Sequence, residues 1–341
     1  MKGPVFILLC LLLAGNLSAQ IGGESTYEFL SLSGAARVTA SGGQQVAIMD
    51  DHPLMAGQNP ALLNDSMHHK LSTGIVNYFA DISYGDVGYA WGRDSLMSYA
   101  VLVNYISYGS FVETDFTGQV LGEFRGGETA FGFAASRAFG RFRVGAQVKG
   151  IYSGIAEFRS YGLAADIGAS WSNPEKLMNA GLVIKNAGLQ LKTFRDGNRE
   201  SLPFDIQIGF SKRLAHVPFR FSFQANNLYR WDIRFDDPRV VTTVTIPGAE
   251  PTDANDNAFV DNLFRHLIFG GELYLGKLIS LRSGFNFQRR QDLSLVNRNG
   301  LTGFSFGGSL NIRRFQFDYG FSSFSVAGGA HHFTLTTDLR R

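Results

Sequence analysis

Residues 141 to 149 read Arg-Phe-Arg-Val-Gly-Ala-Gln-Val-Lys, with apolar and non-apolar positions in strict alternation. The same period of two returns at Phe204 to Phe210, Phe219 to Phe223 and Phe315 to Phe321. Successive side chains of a strand point to opposite faces, so each segment offers one face to an apolar medium and the other to a polar one. Repeated along most of a chain, this pattern leaves two all-β solutions. A soluble sandwich also alternates, but its strands are shorter and its outward faces polar. A transmembrane barrel needs long strands and alternates long and short connections.

Export favours the barrel. Lys2, the apolar run Val5 to Ala14 and the stretch Asn16-Leu17-Ser18-Ala19 read as a secretory signal peptide over residues 1–19, cut between Ala19 and Gln20. The single cysteine, Cys10, lies in that run after Leu9, where a lipid-attachment site needs a small residue. The mature chain therefore has no thiol for a disulfide or a metal. Beyond the signal no apolar run reaches the roughly 18 residues of a membrane helix. A formal net charge of +2 falls to about +1 once Lys2 is gone, which leaves no basic footprint for nucleic acid.

Tight turns are expected at Gly92-Arg93-Asp94-Ser95, Phe139-Gly140, Asn173 to Lys176, Leu214 to His216, Gly276-Lys277 and Arg313-Arg314. They separate seven strand pairs: 70–79 with 82–92, 96–108 with 127–138, 141–153 with 159–171, 178–190 with 203–213, 217–230 with 264–275, 279–290 with 300–312, and 314–324 with 329–339. The expectation is an all-β antiparallel transmembrane barrel of about 14 strands over residues 70–341. Short turns face the periplasm, and Thr117 to Phe124 has strand character of its own. Trp91 and Trp171 beside short turns, and Tyr229 and Trp231 at the other end, fit the two headgroup levels. Residues 20–69 alternate poorly but carry Tyr27, Phe29, Leu30, Val38 and Ile48. Such content predicts a packed hatch inside the lumen rather than a free tail.

Within that segment Arg37-Val38-Thr39-Ala40-Ser41-Gly42-Gly43, then Asp50-Asp51 and Asn59-Pro60-Ala61-Leu62-Leu63, resembles the N-terminal signature of the FadL-like outer-membrane proteins of Bacteroidetes, the PorV and PorQ group. Gly22 to Leu30 and Val76 to Ile82 resemble the PorQ branch. The resemblance implies a non-enzymatic barrel of the type IX secretion system in the outer membrane. It also implies that the barrel holds a PorZ-like surface protein, with PorU and PorV, in the complex that attaches cargo to anionic lipopolysaccharide.

The chemistry-bearing residues are few. His68-His69 and His331-His332 are adjacent pairs, and neighbours on a strand face apart. His266 with Asp261 is the one pair a mouth-sited hydrolase would use. There is no H-E-x-x-H, S-x-x-K or P-loop. Asp253-Ala254-Asn255-Asp256-Asn257 has the oxygen spacing of a calcium loop, but Ala258 stands at the glycine position and Phe264 at the closing acid. No catalytic residue, metal or cofactor is expected. The long external loop 231–263 is acidic, with seven acids against two arginines from Trp231 to Asp261. It carries the strand-like run Arg239 to Ile246. Arg239, Val241, Thr243, Thr245, Asp253 and Asp256 are the candidate partner contacts, by strand addition. Lumen-facing Arg143, Gln147, Lys149, Asp205, Gln207, Arg220 and Gln224 are expected to bond the hatch or line water. The second functional expectation is a FadL-type transporter of hydrophobic small molecules, with an apolar pocket beside the hatch and a lateral gap in the wall near a kinked strand.

Overall fold

The computed structural model describes residues 25–78, 81–92, 96–195, 197, 199–234, 258–293, 300–325 and 328–340. Fourteen antiparallel strands close into one barrel: β1 (Lys70–Asn77), β2 (Ser83–Gly92), β3 (Met97–Thr114), β4 (Val120–Phe139), β5 (Phe142–Ile155), β6 (Phe158–Asn173), β7 (Met178–Lys192), β8 (Asp205–Arg213), β9 (Phe219–Ala225), β10 (Leu267–Leu275), β11 (Ile279–Asn286), β12 (Phe304–Ile312), β13 (Phe315–Ser325) and β14 (Gly328–Asp338). Closure is made by β1 on β14, in register from Lys70 with Asp338 to Asn77 with His331. No edge is left on the ring, and every wall strand finds both neighbours.

Burial runs inside out. On β5 and β6 the residues facing the lumen are Gln147, Lys149 and Asp166, all buried, whereas Val148 and Ile167 on the other face are 58% and 62% exposed. Water would not tolerate that outward surface at this extent; a bilayer requires it. Near the short turns Tyr89, Trp91 and Tyr99 stack in sequence, with ring centroids 5.8 and 5.9 Å apart. Aromatic rings at this level suit the headgroup boundary.

Several boundaries differ from the sequence expectation; β8, β10 and β12 begin at Asp205, Leu267 and Phe304 rather than at 203, 264 and 300. β3 and β4 run beyond 108 and 127 and pair as far as Thr114 with Val120, steadied by Phe111 stacked on Phe124 at 5.2 Å. Strand β9 stops at Ala225 rather than 230. The chain leaves β11 at Asn286, because Phe287–Leu293 forms a helix.

Residues 25–69 fill the lumen. A short helix α1 (Ala36–Ala40) and 3-10 turns at Pro53–Gly57, Pro60–Leu62 and Asp65–Met67 pack against the wall. Ala35, Val38, Leu54, Met55, Leu62 and Leu63 form one apolar cluster with Ala90, Ala100, Leu102 and Ala134 of β2 to β4. Tyr27, Phe29 and Leu30 form a second with Val76, Tyr84, Ile106 and Ile151. Each large apolar side chain so buried contributes about 1.5–3 kcal/mol. Two further helices, α2 (Ala258–Arg265) and α3 (Phe287–Leu293), sit at the long-loop end.

Candidate functional site

At the short-turn end the hatch is tied to the wall by charge. Arg37 of α1 lies 2.5 Å from Asp50 and 3.7 Å from Glu272 of β10. Glu272 also meets Arg220 of β9 at 3.2 Å and Arg282 of β11 at 2.8 Å. Arg282 goes on to Asp318 of β13 at 3.1 Å. Lys70 of β1 pairs with Asp51. Four cations meet four carboxylates, so the buried charges balance among themselves. Burial works against charge on Arg37, but Asp50 and Glu272 beside it hold its guanidinium above its ordinary value. His52, 3.7 Å from Asp318 and wholly buried, is pushed down to about 4, because burial outweighs the carboxylate. It is neutral at neutral pH.

The signature residues of the hatch acquire roles from geometry. Asn59 caps the Pro60–Leu62 turn by accepting from the Ala61 N–H at 2.9 Å, while its amide donates to Val46 O at 3.0 Å and to Ala169 O and Leu182 O of β6 and β7 at 3.5 and 3.4 Å. Small residues in the wall make room for it. A Cβ on Gly168 would overlap Asn59 Oδ1, one on Gly181 the Val46 carbonyl, and one on Gly145 the Pro60 backbone. Gly42 and Gly43, at φ 108° and 99°, turn the chain out of α1, with the Gly43 N–H on Val38 O at 3.0 Å.

Of the polar wall residues read from sequence, Gln224 accepts from the Val46 N–H at 2.9 Å and Gln207 reaches Gln44 at 3.4 Å. Arg220 joins the ion network, Lys149 pairs with Asp166 at 2.8 Å, and Arg143 bonds Ser136 at 3.1 Å. Asp205 accepts from the Asn227 N–H at 2.7 Å, and Gln147 is buried. Glu272, Arg282 and Asp318, the centre of the network, were not singled out from sequence. Their signal is the same inward phase of the alternation, in strands whose outward faces are Phe-rich.

Above the hatch, toward the long loops, lies a cavity of about 550 Å³. Ser31, Leu32, Ser33, Thr39, Gly43 and Gln44 of the hatch form its floor, and Tyr78, Phe204, Tyr229, Arg289, Phe324 and His332 stand in its walls. His332 bonds Thr39 Oγ1 through Nδ1 at 3.0 Å, while its Nε2 has no partner, nor have Asn226 Oδ1 and Gln207 Oε1. Arg289 of α3 lies 4.7 Å over the Phe324 ring and bonds the Ser322 hydroxyl. Burial lowers it to about 10, so it stays charged at neutral pH. Among the described residues no carboxylate pairs with it. The expected apolar pocket is instead mixed, with Lys185, Arg230, Glu28 and Asp205 in the lining as well as Arg289 and the aromatic rings, and such walls suit a small amphipathic guest.

The other candidates are dispersed. His68 and His69 precede β1 in a turn rather than lying on a strand. His68 accepts from the Gly92 N–H and His69 meets the Tyr89 hydroxyl, each at 2.7 Å. His331 faces outward on Tyr319 while His332 faces inward. His266 bonds the Asn226 and Trp231 carbonyls at 2.7 and 3.1 Å, and Asp261, in helix α2 and not in a loop, pairs with Arg265. The two do not form a dyad. Gly303-Phe304-Ser305-Phe306-Gly307 matches a G-x-S-x-G spacing, yet Ser305 lies within β12 and donates to backbone carbonyls, without the strand-to-helix turn that exposes a nucleophile. Among the described residues no group of three His, Cys, Asp or Glu could hold a metal. Arg239, Val241, Thr243, Thr245, Asp253 and Asp256, and the signal peptide, lie outside the described residues.

No protein-family model matches the chain, and no curated protein matches it in sequence. Solved structures do. The toluene transporter TodX of P. putida is similar at TM-score 0.54 and 10% identity, over 92% of this chain and 100% of that one. The Ralstonia pickettii toluene transporter TbuX gives 0.53 and 11% over the same shares. The monoaromatic hydrocarbon channel CymD gives 0.52 and 12% over 93% and 100%. The fold is that of the FadL-like outer-membrane barrels. These neighbours are transporter and channel barrels, which agrees with the outer membrane as the location.

Proposed function

We propose that the protein passes a small hydrophobic molecule bearing a polar or anionic group across the outer membrane, taking it up first in the cavity above the hatch. The observation that carries this reading is the cavity itself, open toward the long loops, floored by the hatch and lined by Tyr78, Phe204, Phe324 and Arg289. Support comes from the bulge in β3 between Ser107 and Ser110, where Gly109 has φ 79° and pairing with β2 ends. The bulge is in keeping with the irregular wall strand expected of such a transporter, although the ring stays closed and no lateral gap accompanies it among the described residues. The printed descriptions of the similar barrels, toluene transporters and a monoaromatic hydrocarbon channel, agree with the substrate class. Deleting the gene should slow uptake of hydrophobic tracers several-fold, with recovery on complementation. Unchanged uptake would refute the reading.

A second reading rests on a different observation. Beyond Ser107 and Gly126 the β3–β4 ribbon stands clear of its neighbours, with Val112, Phe116, Val120 and Leu121 exposed. A free two-edged ribbon is a template for strand addition. It fits a barrel that holds a PorZ-like surface protein, with PorU and PorV, in type IX secretion. On this reading the deletion would leave uptake intact and release cargo from the cell surface. Cargo that stays attached would sink it.

A further inference from the structure

The wall is uneven. Strands β3 to β7 have 14 to 20 residues, whereas β8 to β12 have 7 to 9. At about 3.3 Å per residue and a tilt near 45°, a strand of 7 to 9 residues rises about 16 to 21 Å. The apolar band of an outer-membrane barrel is about 25 Å tall. On the short side something else must complete it.

Helix α2 stands there, and it is inside out in the same sense as the wall. Phe259, Val260, Leu263 and Phe264 are 65%, 48%, 40% and 41% exposed, while Asn262 is buried. Asp261 and Arg265 pair with each other at 2.8 Å, and Arg265 reaches Asp292 of α3 at 2.5 Å. A helix at a water-facing surface would turn the other way, with its apolar stripe inward. The outward face is also continuous with the lipid-facing wall. An aromatic ladder climbs from Phe306 to Phe304 (6.2 Å), Phe285 (4.6 Å), Phe287 (4.6 Å) and Phe264 of α2 (5.0 Å). Trp231, half exposed, packs on Phe259 with tilted rings 5.0 Å apart, the position of an interfacial anchor.

We propose that the outward face of α2, with Trp231 and Leu293, is seated in the outer leaflet and covered by lipid. The helix replaces the missing upper rungs of β8 to β12. Membrane lipid is the occupant because the ladder joins this face to the lipid-facing wall without a polar break, and because the charged residues of α2 point inward to α3.

Nitroxide labels at Phe259→Cys and Leu263→Cys, in the full chain with Cys10→Ser, test this in phosphatidylethanolamine–phosphatidylglycerol vesicles. Phe306→Cys supplies the lipid-facing control and Glu113→Cys the aqueous one. A heat-dependent gel shift verifies the closed barrel. Should Phe259→Cys fail that check, Val260→Cys on the same face gives the same readout. The expected result is an oxygen-to-nickel-chelate collision ratio at 259 and 263 several-fold above that at 113 and near that at 306. A ratio equal to that at 113 would overturn the proposal. So would loss of both collisions, as when a second copy or a protein covers the face.

Discussion

The two ends of the lumen differ in how their polar groups are satisfied. At the short-turn end Arg37, Arg220 and Arg282 converge on Glu272, and Asp50, Asp51 and Asp318 complete the set. Each cation of that network has a carboxylate within 4.0 Å. At the long-loop end Arg289 has an aromatic ring and a hydroxyl, and His332 Nε2, Asn226 Oδ1 and Gln207 Oε1 have no partner. Buried polar atoms are ordinarily paired. Polar atoms without a hydrogen-bond partner occur at both ends, at Asp50, His52 and Ser98 below and at His332, Asn226 and Gln207 above, so what separates the ends is the ion network that holds the hatch and the cavity that leaves room for a guest.

The largest effect should come from removing the shared carboxylate. Glu272→Leu leaves Arg37, Arg220 and Arg282 with only Asp50 and Asp318 between them and should cost about 3–5 kcal/mol of hatch docking. Hydrogen exchange of residues 36–56 would rise by orders of magnitude; unchanged protection would break the contrast between the two ends. Next in size is Gly181→Ala, which sets a methyl against the Val46 carbonyl and should cost about 1–3 kcal/mol. The same exchange measurement reads it.

Acid should loosen the lower end as well. His52 stands at about 4 in the folded chain, below its ordinary 6.5. Between those values the unfolded chain binds a proton that the folded one refuses, so stability falls as pH drops from 6.5 toward 4. At pH 5 the loss is about 2 kcal/mol. His52→Phe should flatten that slope in a heat-midpoint series against pH, and an identical slope would remove His52 from the account. The smallest stability effect belongs to the upper end. Arg289→Gln should change stability by less than about 1 kcal/mol, while weakening capture of an anionic amphiphile about tenfold.

Much of the barrel is legible in sequence because alternation reports directly on two unlike media. The pairing of 141–153 with 159–171 is visible in the residues, and β5 with β6 follows it from Phe142 with Trp171 to Ile155 with Phe158. Strand ends are less legible. Nothing local in Phe287-Gln288-Arg289 marks the change from strand to helix, which depends on Phe287 packing against Phe269 and Phe285. A pocket beside the hatch is an expectation of the transporter reading, but its lining is not legible. Ser31, Tyr78, Arg289 and His332 are far apart in the chain and meet only once the ring closes and the hatch enters it. Pairs such as Arg37 with Asp50 are hidden for the same reason. Resemblance picks out the hatch signature, but only the wall glycines opposite Asn59 and Pro60 explain it.

Direct binding at the cavity tests the central claim most sharply. Ser31→Trp fills the floor from an exposed position and leaves the ion network untouched. Native mass spectrometry of wild type and variant, titrated with toluene and with a medium-chain alkyl carboxylate, reads occupancy. The account predicts saturable one-to-one binding to wild type and at least a tenfold loss in Ser31→Trp, with both proteins showing the same heat-dependent gel shift. Absence of binding to wild type, or equal binding to both, would contradict it.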